Sequence, residues 1–348
     1  MSTTRIPPEH LGTALEQPVR DHLSLTGKAR VLDLTRTERG FATETYLFDV
    51  EDESGRTPLV MRRPPDMSLF PDYDLLRQVL VMRRLADTAL PVPTVSWLER
   101  GDNPLGSPYF VMNRLAGKAP SDFPSYHTAG NYFEATPGQR ARMWWGCVET
   151  IAEVNQLDWR ALRLDFLAYP QHGAGVIEQG VNYLEAALRW ACEGDPPETY
   201  RRAIAHLRDN LYEPDQPCLC WGDARMSNIL YDNDFQVSGV LDWEIAHLGA
   251  PESDLGWLLF LDWACSEYEG HAPLPGTPTR AETIAYYEKR TGHEVHNLEY
   301  QEIFSAALLS IPLLRMTHRV QLPPEMDITG FCTARIEQLV GRGGRAGE

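Results

Sequence analysis

The chain has no apolar run long enough to span a bilayer. Its greasiest stretches, Leu255–Leu261 and Ser305–Leu314, fall well short of a membrane helix. The opening "MSTTRIPPEH" lacks the apolar core of a secretion signal. Positive charge is scarce: 32 Lys and Arg face 49 Asp and Glu, a formal net charge of −17. A phosphate backbone attracts basic faces, so this balance argues against a nucleic-acid partner. It leaves room for a single nucleotide in a locally positive pocket. Cysteines are few, at 6. Only Cys218 and Cys220 are close, and a C-x-C on a strand puts both on one face without metal-ligand partners nearby. All six read as reduced thiols of a cytoplasmic protein, mostly buried.

Several reaction chemistries lack their residues too. There is no HExxH pair, no G-x-S-x-G elbow and no G-x-x-x-x-G-K-S/T loop. Repeats and low-complexity segments are also missing. What is present, at 348 residues and 43% apolar, is an ordinary globular composition long enough for two lobes.

The texture changes along the chain. Residues 1–24 read as a short N-terminal helical segment. From 25 to 115, "ARVLDLTRT", "ATETYLFDVED", "TPLVMRRP" and "SPYFVMNRL" are strand-like, with one helical pattern in "DYDLLRQVLVMRRLAD". From 116 to 340 the pattern is mainly helical. Thr136-Pro137 caps one helix, with Met143, Cys147, Ile151 and Val154 on its inner face. Ile177, Val181, Leu184, Leu188 and Ala191 mark a second, and Tyr200, Ile204, Leu207 and Leu211 a third. Residues 341–348, "GRGGRAGE", read as a flexible tail. The class is α+β: a small antiparallel-sheet lobe, then a larger, mainly helical one.

One stretch interrupts the helices. "LCWGDARMSNILYDNDFQVSGVLDWEIAHLG" sets Asp223, Asn228 and Asp242 at the ends of apolar strands. "NILYDNDFQVSGVLDWE" reads as a β-hairpin with arms Ile229–Tyr231 and Val237–Leu241. That geometry sets Asn228 and Asp242 side by side at its open end, with Asp223 at the end of the preceding strand. A carboxylate and an amide oxygen at a strand end suit Mg²⁺, which takes few protein ligands and keeps water or phosphate oxygens. The other carboxylate, Asp223, can hold a hydroxyl and accept its proton. Asp, four residues, Asn, then Asp after a hairpin is the spacing of a kinase-type phosphoryl-transfer site.

With those residues in view, "WGDARMSNILYDNDFQVSGVLDWEIAHLGAPESDLGW" resembles the signature of the aminoglycoside phosphotransferase and choline kinase superfamily. The branch it resembles includes the kinase-like domain fused to some acyl-CoA dehydrogenases. The resemblance implies a protein-kinase-like two-lobed fold that uses ATP and Mg²⁺. It implies Asp223 as catalytic base, Asn228 and Asp242 as metal ligands, and Asp254 as a buttress of the catalytic loop. In the first lobe it implies that Arg62 reaches the phosphates and that "RGFATETY", with Gly40 and Thr43, covers them. Met112 would then pack behind adenine while backbone near Asn113 and Leu115 pairs with it.

Three positions depart from the family pattern. Gln78 stands where a helix glutamate pairs with the strand's basic residue, with Asp74 a possible substitute. Trp221 and Asn155 stand where histidines are usual. The expected activity is ATP-dependent phosphorylation of a small-molecule hydroxyl. The alternative is a nucleotide-binding module on the same fold that has lost catalysis. The acceptor is left open between aminoglycoside, choline-like amine, macrolide and hydroxyacyl thioester. Glu267, Glu269, Trp257, Trp263 and Tyr268 are candidates for its wall.

Overall fold

A computed structural model describes residues 5–37, 43–320 and 326–343, and its contacts divide the chain into two units, Met1–Leu115 and Ala116–Glu348. The expected phosphate-covering residues Gly40 and Ala42, and residues 344–348 of the tail, lie outside the described residues.

In the first unit, helix α1 (Leu11–His22) precedes strands β1 (Arg30–Arg36), β2 (Glu44–Asp52) and β3 (Gly55–Arg63). Helix α2 (Leu75–Leu85) and strands β4 (Val95–Glu99) and β5 (Tyr109–Asn113) follow. The strands form one antiparallel sheet in the order β1-β2-β3-β5-β4. Helix α1 belongs to this unit rather than standing apart as a separate segment. Its Leu11, Leu15 and Val19 pack into one buried cluster with Tyr46, Phe48, Val50, Met61 and Val111 from the sheet. Burying a large apolar side chain is worth about 1.5–3 kcal/mol, so three of them hold the helix on the sheet.

In the second unit, helices α3 (Gly130–Glu134), α4 (Pro137–Asn155), α5 (Val176–Cys192) and α6 (Glu198–Asp209) come first. Short strands β6 (Cys218–Cys220), β7 (Ile229–Tyr231), β8 (Val237–Val240) and β9 (His247–Gly249) follow. Helices α7 (Glu252–Trp263), α8 (Arg280–Thr291), α9 (Leu298–Val320) and α10 (Gly330–Gly343) complete it. A Thr136–Gln139 capping box starts α4, and Met143, Cys147, Ile151 and Val154 are all buried on its inner face. The α5 face is buried throughout as well.

The α6 pattern holds only to Leu207. The helix ends at Asp209, so Leu211 falls beyond it and is 43% exposed. Asn210 closes this helix and Pro214 follows, so the apolar spacing outlasts the hydrogen bonding. Trp257 is 3% exposed inside α7 and belongs to the core, not to an acceptor wall. Trp263 and Tyr268 lie further along, their rings 5.4 Å apart, with Tyr268 44% exposed. No helix among the described residues is long and apolar enough to cross a membrane.

Candidate active site

The hairpin β7–β8 pairs Ile229 with Val240, and the ladder extends through Leu241 N–H to Asn228 C=O at 2.9 Å. Asn228 and Asp242 are therefore brought to the open end by register alone. Asp242 has φ +61°, a left-handed backbone that a non-glycine residue adopts at a cost and that Asp tolerates better than most. The Trp221 indole N–H holds that turn from the side, donating to Leu241 O at 2.8 Å and Asp242 O at 3.1 Å.

Strand β6 delivers the other acid. It pairs with β9 through Cys218–Gly249 and Cys220–His247, and the two cysteines face the same way with sulfurs 3.8 Å apart. The chain then turns at Gly222, φ +92°, where an added Cβ would meet Ile245 O at 2.4 Å. Only glycine fits that close approach. Beneath the turn Asp254, 1% exposed, accepts from Gly222 N–H and Trp221 N–H, each at 2.8 Å. Asp254 thus supports the loop by hydrogen bonds rather than serving merely as a helix-start acid. Burial raises its carboxyl, with the Gly222 and Trp221 N–H groups pulling the other way. Asn155 donates to the same carboxylate at 3.0 Å and to Leu219 O at 2.9 Å, and it accepts from Tyr287 OH. Asn155 and Trp221, which replace the usual histidines, both brace the loop. His247 bonds Ile245 O at 3.1 Å, a local loop contact.

Asp223 is buried, and its two oxygens differ. Oδ2 accepts from Asn228 Nδ2 at 2.7 Å and from Arg225 Nη2 at 2.9 Å. Oδ1 is buried with no hydrogen-bond partner. An acceptor atom left this way calls for a missing donor. Burial pushes the Asp223 carboxyl up to about 6, with Asp242 and Asp122 adding to the rise and Arg225 and Asn228 opposing it. Asn228 Nδ2 also donates to Asp223 O at 3.0 Å, which leaves the amide Oδ1 as the atom open to a cation. Among the described residues, no three His, Cys, Asp or Glu side chains could hold a metal by themselves. One amide oxygen with the Asp242 carboxylate nevertheless fits Mg²⁺, whose remaining ligands are usually water and phosphate.

Arg225 had no role in the sequence reading, although it lies two residues after Asp223. Its Nη1 donates to Asp122 at 3.0 Å, and Ser227 Oγ donates to the same Asp122 oxygen at 2.7 Å. Asp122 is remote in sequence, and no pattern marked it.

In the first unit, Arg62 sits on β3 between Thr45 of β2 and Phe110 of β5 and is buried. Its neighbour Arg63, on the opposite face, is 1% exposed and fully engaged. It donates to Glu44 at 2.7 Å, Ile6 O at 2.8 Å and Tyr46 OH at 3.1 Å. Burial alone would raise the Glu44 carboxyl, but Arg63, Arg5 and Arg36 outweigh it and hold it low. Thr43 is buried and bonds Tyr73 OH. Gln78 is buried on α2, its Nε2 without a hydrogen-bond partner, and the exposed Asp74 caps that helix through Leu76 N–H at 2.9 Å. Asp74 serves there as the helix cap. Met112 is buried opposite Val60 and Val95. Asn113 N–H is bonded to Thr94 O at 3.1 Å and Arg114 N–H to Pro58 O at 3.0 Å, which leaves Leu115 as the next backbone N–H along.

The fold is that of the protein-kinase-like phosphotransferases. A Ralstonia eutropha protein provisionally assigned as an aminoglycoside phosphotransferase superimposes with a TM-score of 0.70 at 20% identity, covering 95% of this chain and 96% of that one. An aminoglycoside phosphotransferase solved with ADP and hygromycin B superimposes with a TM-score of 0.59 at 16% identity, covering 96% and 99%. Residues 33–290 match the model of the phosphotransferase enzyme family, and the chain belongs to that family. It is also 26% identical over 302 residues to acyl-CoA dehydrogenase family member 11 of Rattus norvegicus, covering 83% of this chain. It spans only 37% of that relative's length.

Proposed function

We propose that the protein transfers the γ-phosphoryl group of ATP, with Mg²⁺, to a hydroxyl of a small molecule. The observation that carries this reading is the asymmetric Asp223 carboxylate. One oxygen is tied by Asn228 and Arg225, and the other is buried and lacks a donor. An acceptor hydroxyl supplies that donor. Asp223 Oδ1 orients it and takes its proton as the bond to phosphorus forms. Asn228 and Asp242 hold the metal, which when bound neutralises charge on the phosphates. Arg62 answers the non-transferred phosphates, and backbone at Leu115 pairs with adenine. Because the transition state is loose, positioning contributes more than base strength.

The reading is tested by incubating the chain with Mg·ATP and a panel of hydroxyl-bearing metabolites, following phosphate transfer. A hydroxylated acyl-CoA heads the panel because of the acyl-CoA dehydrogenase relative; aminoglycosides, macrolides and choline follow. Asp242→Asn is expected to weaken Mg·ATP binding about tenfold or more in calorimetric titration, with the fold intact, because a carboxylate ligand is lost. Unchanged affinity would remove Asp242 from the metal site.

Arg62 and Arg63 separate function from folding. Arg62→Ala is expected to weaken ATP binding more than Arg63→Ala does. Arg63→Ala strips a buried ion pair and should cost about 3–5 kcal/mol of stability. Parallel thermal melts and ATP titrations read both. A larger ATP defect in Arg63→Ala at an unchanged melting temperature would reverse the assignment.

The second reading, a nucleotide-binding module without transfer, draws on one observation: neutral Gln78 with its unpartnered Nε2 in place of an ion-pairing glutamate.

A further inference from the structure

Two buried atoms on the touching side chains of Asp223 and Arg225 lack partners, as does Oδ1 of the neighbouring Asp122. Arg225 Nη2 lies 2.9 Å from Asp223 Oδ2. Arg225 Nε and Asp223 Oδ1 are both buried without a hydrogen bond. The Nε–Nη2 edge of a guanidinium is a fork that matches both oxygens of a carboxylate. A fork-to-fork pair would satisfy both orphans at once. The structure holds the arginine on one oxygen instead.

The restraint lies on the other side of the guanidinium. Nη1 is anchored to Asp122 Oδ2 at 3.0 Å, and Ser227 Oγ fixes that oxygen at 2.7 Å. Asp122 is itself held, its carbonyl oxygen contacted by the Cys265 thiol at 3.9 Å. The catalytic loop's arginine is therefore stretched between two carboxylates.

We propose that Asp122 is a positioning residue: it tethers Arg225 so that the guanidinium grips only one oxygen of Asp223 and leaves the other for the acceptor. Without the tether, Arg225 closes on both oxygens and occupies the atom that the reaction needs. Asp122 thus acts through Arg225 on Asp223 and touches neither nucleotide nor acceptor. The inference rests on the phosphotransfer reading above for its kinetic consequence, but its geometric claim stands separately.

The test uses the full chain and Mg·ATP with water as acceptor, alongside crystal structures of the native protein and Asp122→Asn. In Asp122→Asn the kcat for ATP hydrolysis should fall at least about tenfold, within the range for a misplaced acid–base group, with KM for ATP within about twofold. The variant's crystal structure should show Arg225 bonded to both Asp223 oxygens. Asp122→Glu keeps the charge and should recover much of the kcat. Asp122→Asn/Arg225→Lys should be faster than Asp122→Asn alone, because an ammonium cannot form the fork. Arg225 still bonded to one oxygen in Asp122→Asn would overturn the proposal. So would a kcat loss that lysine does not relieve and a falling melting temperature explains. If native protein turns over no ATP with water, the phosphotransfer reading stands or falls on the acceptor panel, and the two crystal structures alone decide the tether: a fork supports it and an unmoved Arg225 removes it. If Asp122→Asn does not fold, Asp122→Ser decides, because its side chain is too short to hold the guanidinium: Arg225 bonded to both Asp223 oxygens supports the tether, and Arg225 still on one oxygen overturns it.

Discussion

Replacing Asp223 by alanine is expected to lower phosphoryl transfer by roughly 10²–10⁴-fold, the range for a positioned acid–base group. The expectation rests on the lone buried oxygen of this side chain, the atom that an acceptor hydroxyl would meet. Mg·ATP affinity should stay within a small factor, because on the proposed reading Asn228 and Asp242 would carry the metal. Asn228→Ala is the control. It removes a proposed metal ligand and also the donor at 2.7 Å that fixes Asp223, so binding and turnover should fall together. Single-turnover kinetics and calorimetric titration on the three proteins separate the effects. A chain that binds ATP equally well with and without Asp223, and transfers phosphate to nothing in a broad screen, favours the silent binding module.

Glu302→Ala is expected to cost about 3–5 kcal/mol of stability at a place away from the site. Glu302 is 0% exposed on α9 and joins two arginines from other helices, Arg280 of α8 and Arg335 of α10. Arg335 is itself buried, 2.9 Å from the same carboxylate through Nε, and stacks over Trp263 at 4.8 Å. Removing the glutamate leaves that guanidinium uncompensated in the core, which is far costlier than losing an exposed pair. Denaturant unfolding of the full chain measures it. A loss below about 1 kcal/mol would mean that Gln338 and Trp263 suffice to hold Arg335.

Much of this architecture is legible in local pattern. Helix α4 shows its start in Thr136 and its buried face in a 3.6-residue spacing, because capping and amphipathicity are properties of neighbours in sequence. The β7–β8 hairpin is equally readable, and with it the meeting of Asn228 and Asp242, since a two-residue side-chain period and a short turn fix the register. Where local pattern outran structure, as at Leu211, an apolar residue continued a helical spacing after the backbone hydrogen bonds had stopped.

Other features depend on groups far apart in the chain. Alternation separates Arg62 from Arg63 onto two faces but does not say what holds Arg63. That was decided by Glu44 on the neighbouring strand and by the N-terminal segment through Ile6 and Arg5. The bracing of the loop at residues 221–223 by Asn155 likewise spans 99 residues to Asp254.

The sequence by itself determined the α+β class, the hairpin and the Asp223, Asn228 and Asp242 spacing, because short-range backbone geometry sets all of them. Only the tertiary structure decided which oxygen of Asp223 is open. That depends on Arg225, which is anchored by Asp122 from 103 residues away, a contact that only the packing of the chain brings together and that no local spacing marks.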